Sequence, residues 1–104
     1  MSISTITSKQ RAWLRKEAHT LEPLFQIGKE GLTEQVLHAL DEALEKREIL
    51  KVKILETALL DTKETCNETA EVLHAEPVQA IGNKFILYRQ SGEPKNRKIE
   101  LPRK

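Results

Sequence analysis

Two glycines that bracket a lysine, Gly28-Lys29-Glu30-Gly31, are the residues whose types and spacing suit a defined chemistry. Glycine lets the backbone take positive φ and lets a second molecule approach closely. An apolar run (Leu24, Phe25, Ile27) precedes the stretch and a helical pattern follows from Leu32, so the local order reads strand, turn, helix. The first N–H groups of such a helix have no intrahelical partner and suit a phosphate oxygen. Lys29 adds a mobile cation with three donors, which points to a nucleic-acid backbone, while Glu30 partly offsets it. The same four residues also serve as a plain tight connection whose glycines meet only a geometric need.

Other cations sit where they could widen that surface. Arg11 and Arg15 are one turn apart on a helical pattern, Lys51 and Lys53 share one side of an alternating stretch, and Lys84 and Arg89 fall near the two ends of a late apolar run. Each set equally describes an ordinary solvated face. Nothing comparable supports catalysis. His19, His38 and His74 lack ligand spacing, and His38, four residues from both Glu34 and Glu42, reads as a surface ion-pair position. Cys66 is the only cysteine, which excludes an internal disulfide, and it lies on a helical apolar stripe as a small core residue. No catalytic residue, metal site or cofactor is expected, and the chain is expected not to be an enzyme.

The elements that must position these residues are legible in turn. Residues 1–6 are polar or small and read as loose. Thr7 and Gln10 have capping-box spacing and open a helix to about His19 or Thr20, with Trp13, Leu14 and Ala18 on its apolar stripe. Pro23 ends its reach, and Leu24 to Ile27 form a first strand. Thr33 caps a second helix whose apolar stripe runs through Val36, Leu37, Leu40, Ala43 and Leu44. Residues 49–55 alternate, with Leu50, Val52 and Ile54 on one face. Asp61 and Glu64 repeat the capping spacing before a third helix carrying Cys66, Ala70 and Leu73, with Val72 beside them. Pro77 is expected to break it. Strands at 78–81, with Val78 and Ala80 on one face, and at 84–89 then form a hairpin about Gly82-Asn83; the last strand is apolar on both faces, hence covered on both. Residues 91–104 read as a mobile basic tail or a weak edge strand at Ile99–Leu101. This order predicts a compact α/β sandwich, αβαβαββ, around a mixed four-stranded sheet. A right-handed crossover over residues 24–55 would place the glycine turn at the carboxyl end of the first strand, where α/β folds bind ligands.

At 104 residues the chain suits one domain with a single core and no disulfide staples. No apolar run reaches the roughly 20 residues of a membrane span, and the first residues lack the apolar core of a signal peptide, so a cytoplasmic place is expected. The net charge of +1 conceals a pattern of +2 over residues 1–31, −6 over 32–76 and +5 over 77–104. Basic ends that meet in space would give one basic side, so neutrality does not exclude a polyanion. The aromatics Trp13, Phe25, Phe85 and Tyr88 read mostly as core, which favours shape and phosphate pattern over successive base stacking.

In this order SKQRAWLRKEAHTL, PLFQIGKEGLT, ILKVKIL and VQAIGNKFILYR resemble the CRM domain, named for chloroplast RNA splicing and ribosome maturation. The resemblance covers about residues 7–90, and at this length the chain is similar to the stand-alone bacterial YhbY-type RNA-binding proteins. It implies a fold akin to the carboxyl-terminal domain of translation initiation factor three. It also implies association with precursor large ribosomal subunits through structured RNA, with the loop at Gly28, Lys29, Glu30 and Gly31 taking part. Ribosomal proteins are further expected partners, a monomer the expected state. A different class of function, docking of basic ribosomal proteins or assembly factors on the acidic helices, is motivated by the eleven acids between residues 32 and 76.

Overall fold

In the computed structural model, which describes residues 6–103, helix α1 (Ser8–Ala18) begins at the expected cap. The Thr7 hydroxyl accepts from the Gln10 amide at 3.1 Å and the Gln10 side chain accepts from the Thr7 amide at 3.0 Å. Two N–H groups that a helix start leaves unpaired are thereby satisfied reciprocally. Strand β1 (Phe25–Ile27), helix α2 (Glu34–Arg47) and strand β2 (Ile49–Ile54) follow. Thr33 caps α2 by accepting from the Val36 amide, and Asp61 caps helix α3 (Thr62–Leu73) by accepting from that of Glu64. A short 3-10 turn over Glu56–Ala58, which has no periodicity to announce it, links β2 to α3. Strands β3 (Glu76–Ile81) and β4 (Lys84–Tyr88) complete the chain's regular core.

The sheet order is β1-β2-β4-β3, with β1 and β2 parallel and the other neighbours antiparallel, so the mixed four-stranded α/β sandwich is observed. Helices α2 and α3 pack on one face over Leu40, Leu44, Leu50, Val52, Phe85 and Leu87. Helix α1 packs on the other, where Leu14 and Ala18 meet Val78, Ile86 and Tyr88. Strand β4 is therefore buried on both sides, as its unbroken apolar run requires. The expectation of a loose start lies outside the described residues for 1–5, whereas Ile6 is buried in the α1-side core.

Three local expectations are corrected. Helix α3 ends at Leu73 because His74 turns left-handed at φ 54°, and Pro77 lies inside β3 instead of breaking the helix. Proline is tolerated there because β3 is an edge strand, where a missing donor costs no ladder bond. The register of β3 slips between Pro77 and Gln79, so Val78 enters the α1-side core while Ala80 stands opposite Phe85, which packs on the other face. A bulge breaks the simple alternation that put Val78 and Ala80 together. Val72, finally, is exposed, one position off the α3 stripe of Cys66, Ala70 and Leu73.

The segment after Arg89 forms no strand among the described residues and is neither a loose tail nor an edge. It is a strap tied to the end of α2. Glu48 caps that helix at φ 68°, a conformation that favours glycine, yet its side chain is fully buried. Its carboxylate accepts from the amides of Ser91 (2.8 Å), Lys98 (2.7 Å) and Ile99 (3.1 Å), and its backbone carbonyl accepts from Arg89 at 2.8 Å. Glu45 accepts from Gly92 at 2.7 Å and from the Ser91 hydroxyl at 3.1 Å. The strap passes through a 3-10 turn at Pro94–Asn96 and lays Ile99 and Leu101 on the α1-side core. Its far end is held by Gln10, whose side chain donates to Pro102 at 2.8 Å. Tyr88 lies in the same core, and burial first, then the charge of Glu48, raises its phenol pKa.

Replacing Glu48 with alanine leaves three backbone donors without their acceptor and should cost about 2–4 kcal/mol in urea unfolding. Faster hydrogen exchange should be concentrated at Ser91, Lys98 and Ile99. The Glu45 carboxyl is held below its ordinary 4.5, chiefly by the Gly92 amide, against opposing desolvation and with help from Ser91, Arg89 and Glu93. A depressed folded value means that this tether is complete above pH 4.5 and is lost as pH falls through the lower value. The Gly92 amide resonance should accordingly titrate with a midpoint below 4.5.

Candidate nucleic-acid interface

Parallel pairing decides where the glycine loop stands. Phe25, Gln26 and Ile27 lie beside Val52, Lys53 and Ile54, and the Leu55 amide donates to the Ile27 carbonyl at 2.9 Å. The chain therefore leaves β1 at the carboxyl ends of both parallel strands, the place where α/β sheets present ligand loops. The Gly31 amide donates to the Gly28 carbonyl at 2.9 Å, closing a four-residue turn with exposed Lys29 and Glu30 at its centre. Thr33 takes the Val36 amide, and helical geometry leaves the preceding amides of Glu34 and Gln35 without intrahelical acceptors.

The two glycines have different reasons to be glycine. Gly31 has φ +73°, which side chains resist. Gly28 does not have positive φ, and a Cβ placed on it would meet only Leu55 Cδ1, at 3.7 Å, an ordinary contact. The backbone therefore favours glycine at 31 and shows no such preference at 28.

Two lysines from separate parts of the sequence meet in the row that ends on Gln26, two residues before this turn. Lys53 and Lys84 are direct cross-strand partners, and Gln26 pairs with Lys53 from the other side. The row Gln26, Lys53, Lys84 thus crosses three strands on the α1 side of the sheet, about 7 Å along β1 from Gly28 by strand rise. Directly opposed like charges cost stability, and an anion between them removes the cost. Lys51 lies one row back on this face, and its ammonium donates to the His19 carbonyl at 3.4 Å, tying β2 to the end of α1. Gln26 was not anticipated; its only signal is that it is the polar residue in an otherwise apolar run.

The remaining expected cations divide. Arg15 is exposed on α1. Arg11 is half-buried and donates to the Pro77 carbonyl at 3.3 Å, which docks α1 onto β3. Arg89 is not brought to this surface. Its guanidinium lies beyond the opposite end of β4 and donates to Asp41 (2.6 Å), the Leu73 carbonyl (2.9 Å) and the Asp41 carbonyl (3.0 Å), with Glu45 at 3.5 Å. It joins α2, α3 and β4. Cys66 is buried, and burial pushes its thiol up to about 12, far from a reactive thiolate. His38 pairs with Glu42 on the α2 surface. Among the described residues no group of three or more His, Cys, Asp or Glu could hold a metal ion, and no helix is long and apolar enough to cross a membrane.

The Gly28–Gly31 turn and the lysine pair thus stand at the carboxyl ends of the parallel strands of the mixed sheet. The chain belongs to the CRS1/YhbY (CRM) domain family, whose family model matches residues 6–89. It is 39% identical over 97 residues to a Bacillus subtilis protein named Probable RNA-binding protein YqeI, covering 93% of this chain and 99% of that one. It is 40% identical over 103 residues to a Haemophilus influenzae protein named RNA-binding protein, covering 98% and 100% of the two chains. The solution structure of hypothetical protein SAV1595 from Staphylococcus aureus superposes with a TM-score of 0.78 at 42% identity, covering 94% of this chain and 100% of that one.

The unequal glycines can be separated by stability. Gly31→Ala should destabilise the fold by about 1 kcal/mol in denaturant unfolding, whereas Gly28→Ala should stay within about 0.5 kcal/mol of the parent.

Proposed function

We propose that this protein binds structured RNA without catalysing a reaction, and that it serves assembly of the large ribosomal subunit in the cytoplasm by holding precursor RNA. The observation that carries the reading is the convergence of the Gly28–Gly31 turn with the Lys53–Lys84 pair at one end of the sheet. Gly28, which the fold does not need as glycine, leaves room for an RNA backbone to approach the turn. Lys29, the outward amides at the start of α2 and the lysine pair would hold phosphate oxygens, with Lys51 and Arg15 extending the basic surface. Names of relatives as RNA-binding proteins agree with this chemistry, and the resemblance to YhbY-type proteins motivates the ribosomal assignment. The acidic-helix alternative draws less support, because Asp41, Glu45 and Glu48 are engaged with Arg89 and the strap instead of facing a partner.

Binding of large-subunit RNA fragments, measured against salt, checks this reading. Lys29→Ala and the double change Lys53→Ala with Lys84→Ala should each weaken binding and reduce the salt slope by about one for every phosphate that is no longer neutralised. Gly28→Ala should weaken binding while the fold persists. Unchanged affinity and slope in all three would remove the surface, and crosslinks in cells that avoid large-subunit RNA would remove the ribosomal assignment.

A further inference from the structure

The strap does more than close the second core. Between it, α1 and the start of β2 lies an open cleft of about 540 Å³ lined by Trp13, Ile49, Ile99, Glu17, Glu100 and Lys98, with Leu21 at its edge. Trp13 is half-buried, packed on the α1-side core along one flank and facing the cleft with another. Ile49 and Ile99 supply further apolar lining, while two carboxylates and one ammonium supply the polar groups. A smaller cleft shares Leu21, Ile49 and Lys98 with it and adds Lys51 and Arg47. Lys51 stands on the same sheet face as Lys53. The clefts therefore continue the lysine face described above, with Ile49 about 13 Å along β2 from Lys53 by strand rise.

We infer that this cleft receives one unpaired purine of the bound RNA, stacked on Trp13, with its amino edge toward Glu17 or Glu100 and its phosphate toward Lys98 and Lys51. The inference rests on the RNA-binding reading and adds base recognition to it. The chemistry is complementary on each side. An indole presents the flat, polarisable surface on which unpaired bases stack, and in sequence-specific RNA recognition such bases are also read along their hydrogen-bonding edges. Carboxylates accept only, so they select a base edge that donates. Guanine offers adjacent N1–H and N2–H donors to one carboxylate, adenine a single amino group, and uracil one imino proton; guanine is the expected preference. Lys98, which lines both clefts, and Lys51 of the smaller one lie on the side from which the backbone would arrive. Phosphate binding at the glycine turn carries no base information, so the cleft would supply what the turn lacks.

Trp13 is the only tryptophan, so its fluorescence reports this cleft alone. The test titrates the full chain with a short single-stranded RNA carrying one guanine, with the same RNA abasic at that position, and with versions carrying adenine or uracil there. Saturable quenching by the guanine RNA, about tenfold weaker binding of the abasic RNA, and guanine ahead of adenine and uracil are expected, the size being that of one base stack. Lys98→Ala and Glu100→Gln change only strap side chains and leave the amide that Glu48 holds, so both should fold normally. Glu100→Gln should weaken binding of the guanine RNA and leave the abasic RNA unaffected, whereas Lys98→Ala should weaken binding of both, because the abasic RNA keeps the phosphate. Equal binding and equal quenching by intact and abasic RNA would overturn the inference while leaving the phosphate surface standing. Failure of every RNA to bind would overturn both. Trp13 emission that shifts with protein concentration in the absence of RNA would assign the cleft to a second copy of the chain and overturn the inference as well.

Discussion

Glu48 is the constraint on which the rest of this structure depends. A helix end at positive φ would ordinarily be given to glycine, which meets no steric penalty there. Glutamate is placed there at a backbone cost, offset by a buried carboxylate that gathers three amides from the strap. One ionisable group thereby fastens the end of α2, the exit of β4 and the residues that roof the α1-side core. A buried carboxylate is tolerable only when its oxygens are filled by donors, and the strap's backbone fills them. Fold closure and the wall of the Trp13 cleft depend on the same contacts.

Arg89 works beside it by the opposite logic. Its guanidinium is drawn inward to Asp41, Glu45 and the open end of α3, where carbonyl oxygens lack helical donors. Charge counted along the chain assigns this arginine to a basic surface and the acids of α2 to an acidic one. In space Arg89 pairs with two of those acids, Asp41 and Glu45, and so is withdrawn from the basic surface. The basic surface that remains is smaller and better defined, formed by the sheet face that α1 leaves uncovered. The Lys53–Lys84 pair lies there because β2 and β4 are antiparallel neighbours, although their sequence positions are far apart. Separating the charges used by the fold from those left for a partner reconciles the proposed RNA surface with a nearly neutral protein.

Much of the architecture was legible because it rests on short-range rules. Thr7 with Gln10, Thr33, and Asp61 ahead of Glu64 announced three helix starts, since a cap needs only the next three residues. The alternation at Leu50, Val52 and Ile54 announced one strand, and the two-sided apolar run of β4 announced its central place. Expectations failed where a distant partner decided the outcome. Pro77 could remain in a strand only because that strand is an edge, and Val78 and Ala80 parted because of a bulge against β4. The turn-rich stretch after Arg89 has every local mark of a loose tail, and it is ordered by glutamates more than forty residues earlier.

The candidate site divides along the same line. Sequence alone determined the Gly28-Lys29-Glu30-Gly31 turn, the strand before it and the capped helix after it, because contiguous residues set backbone conformation locally. It also carried the family resemblance, which depends on ordered segments. Only the tertiary structure decided which cations stand beside the turn, that Gly31 and not Gly28 is held by backbone conformation, and that Trp13 faces a cleft instead of lying wholly in the core. Those outcomes follow from strand order, register and the anchoring of the strap. Each is a relation between residues far apart in the chain, and pairing energies set in three dimensions leave no periodic trace in one.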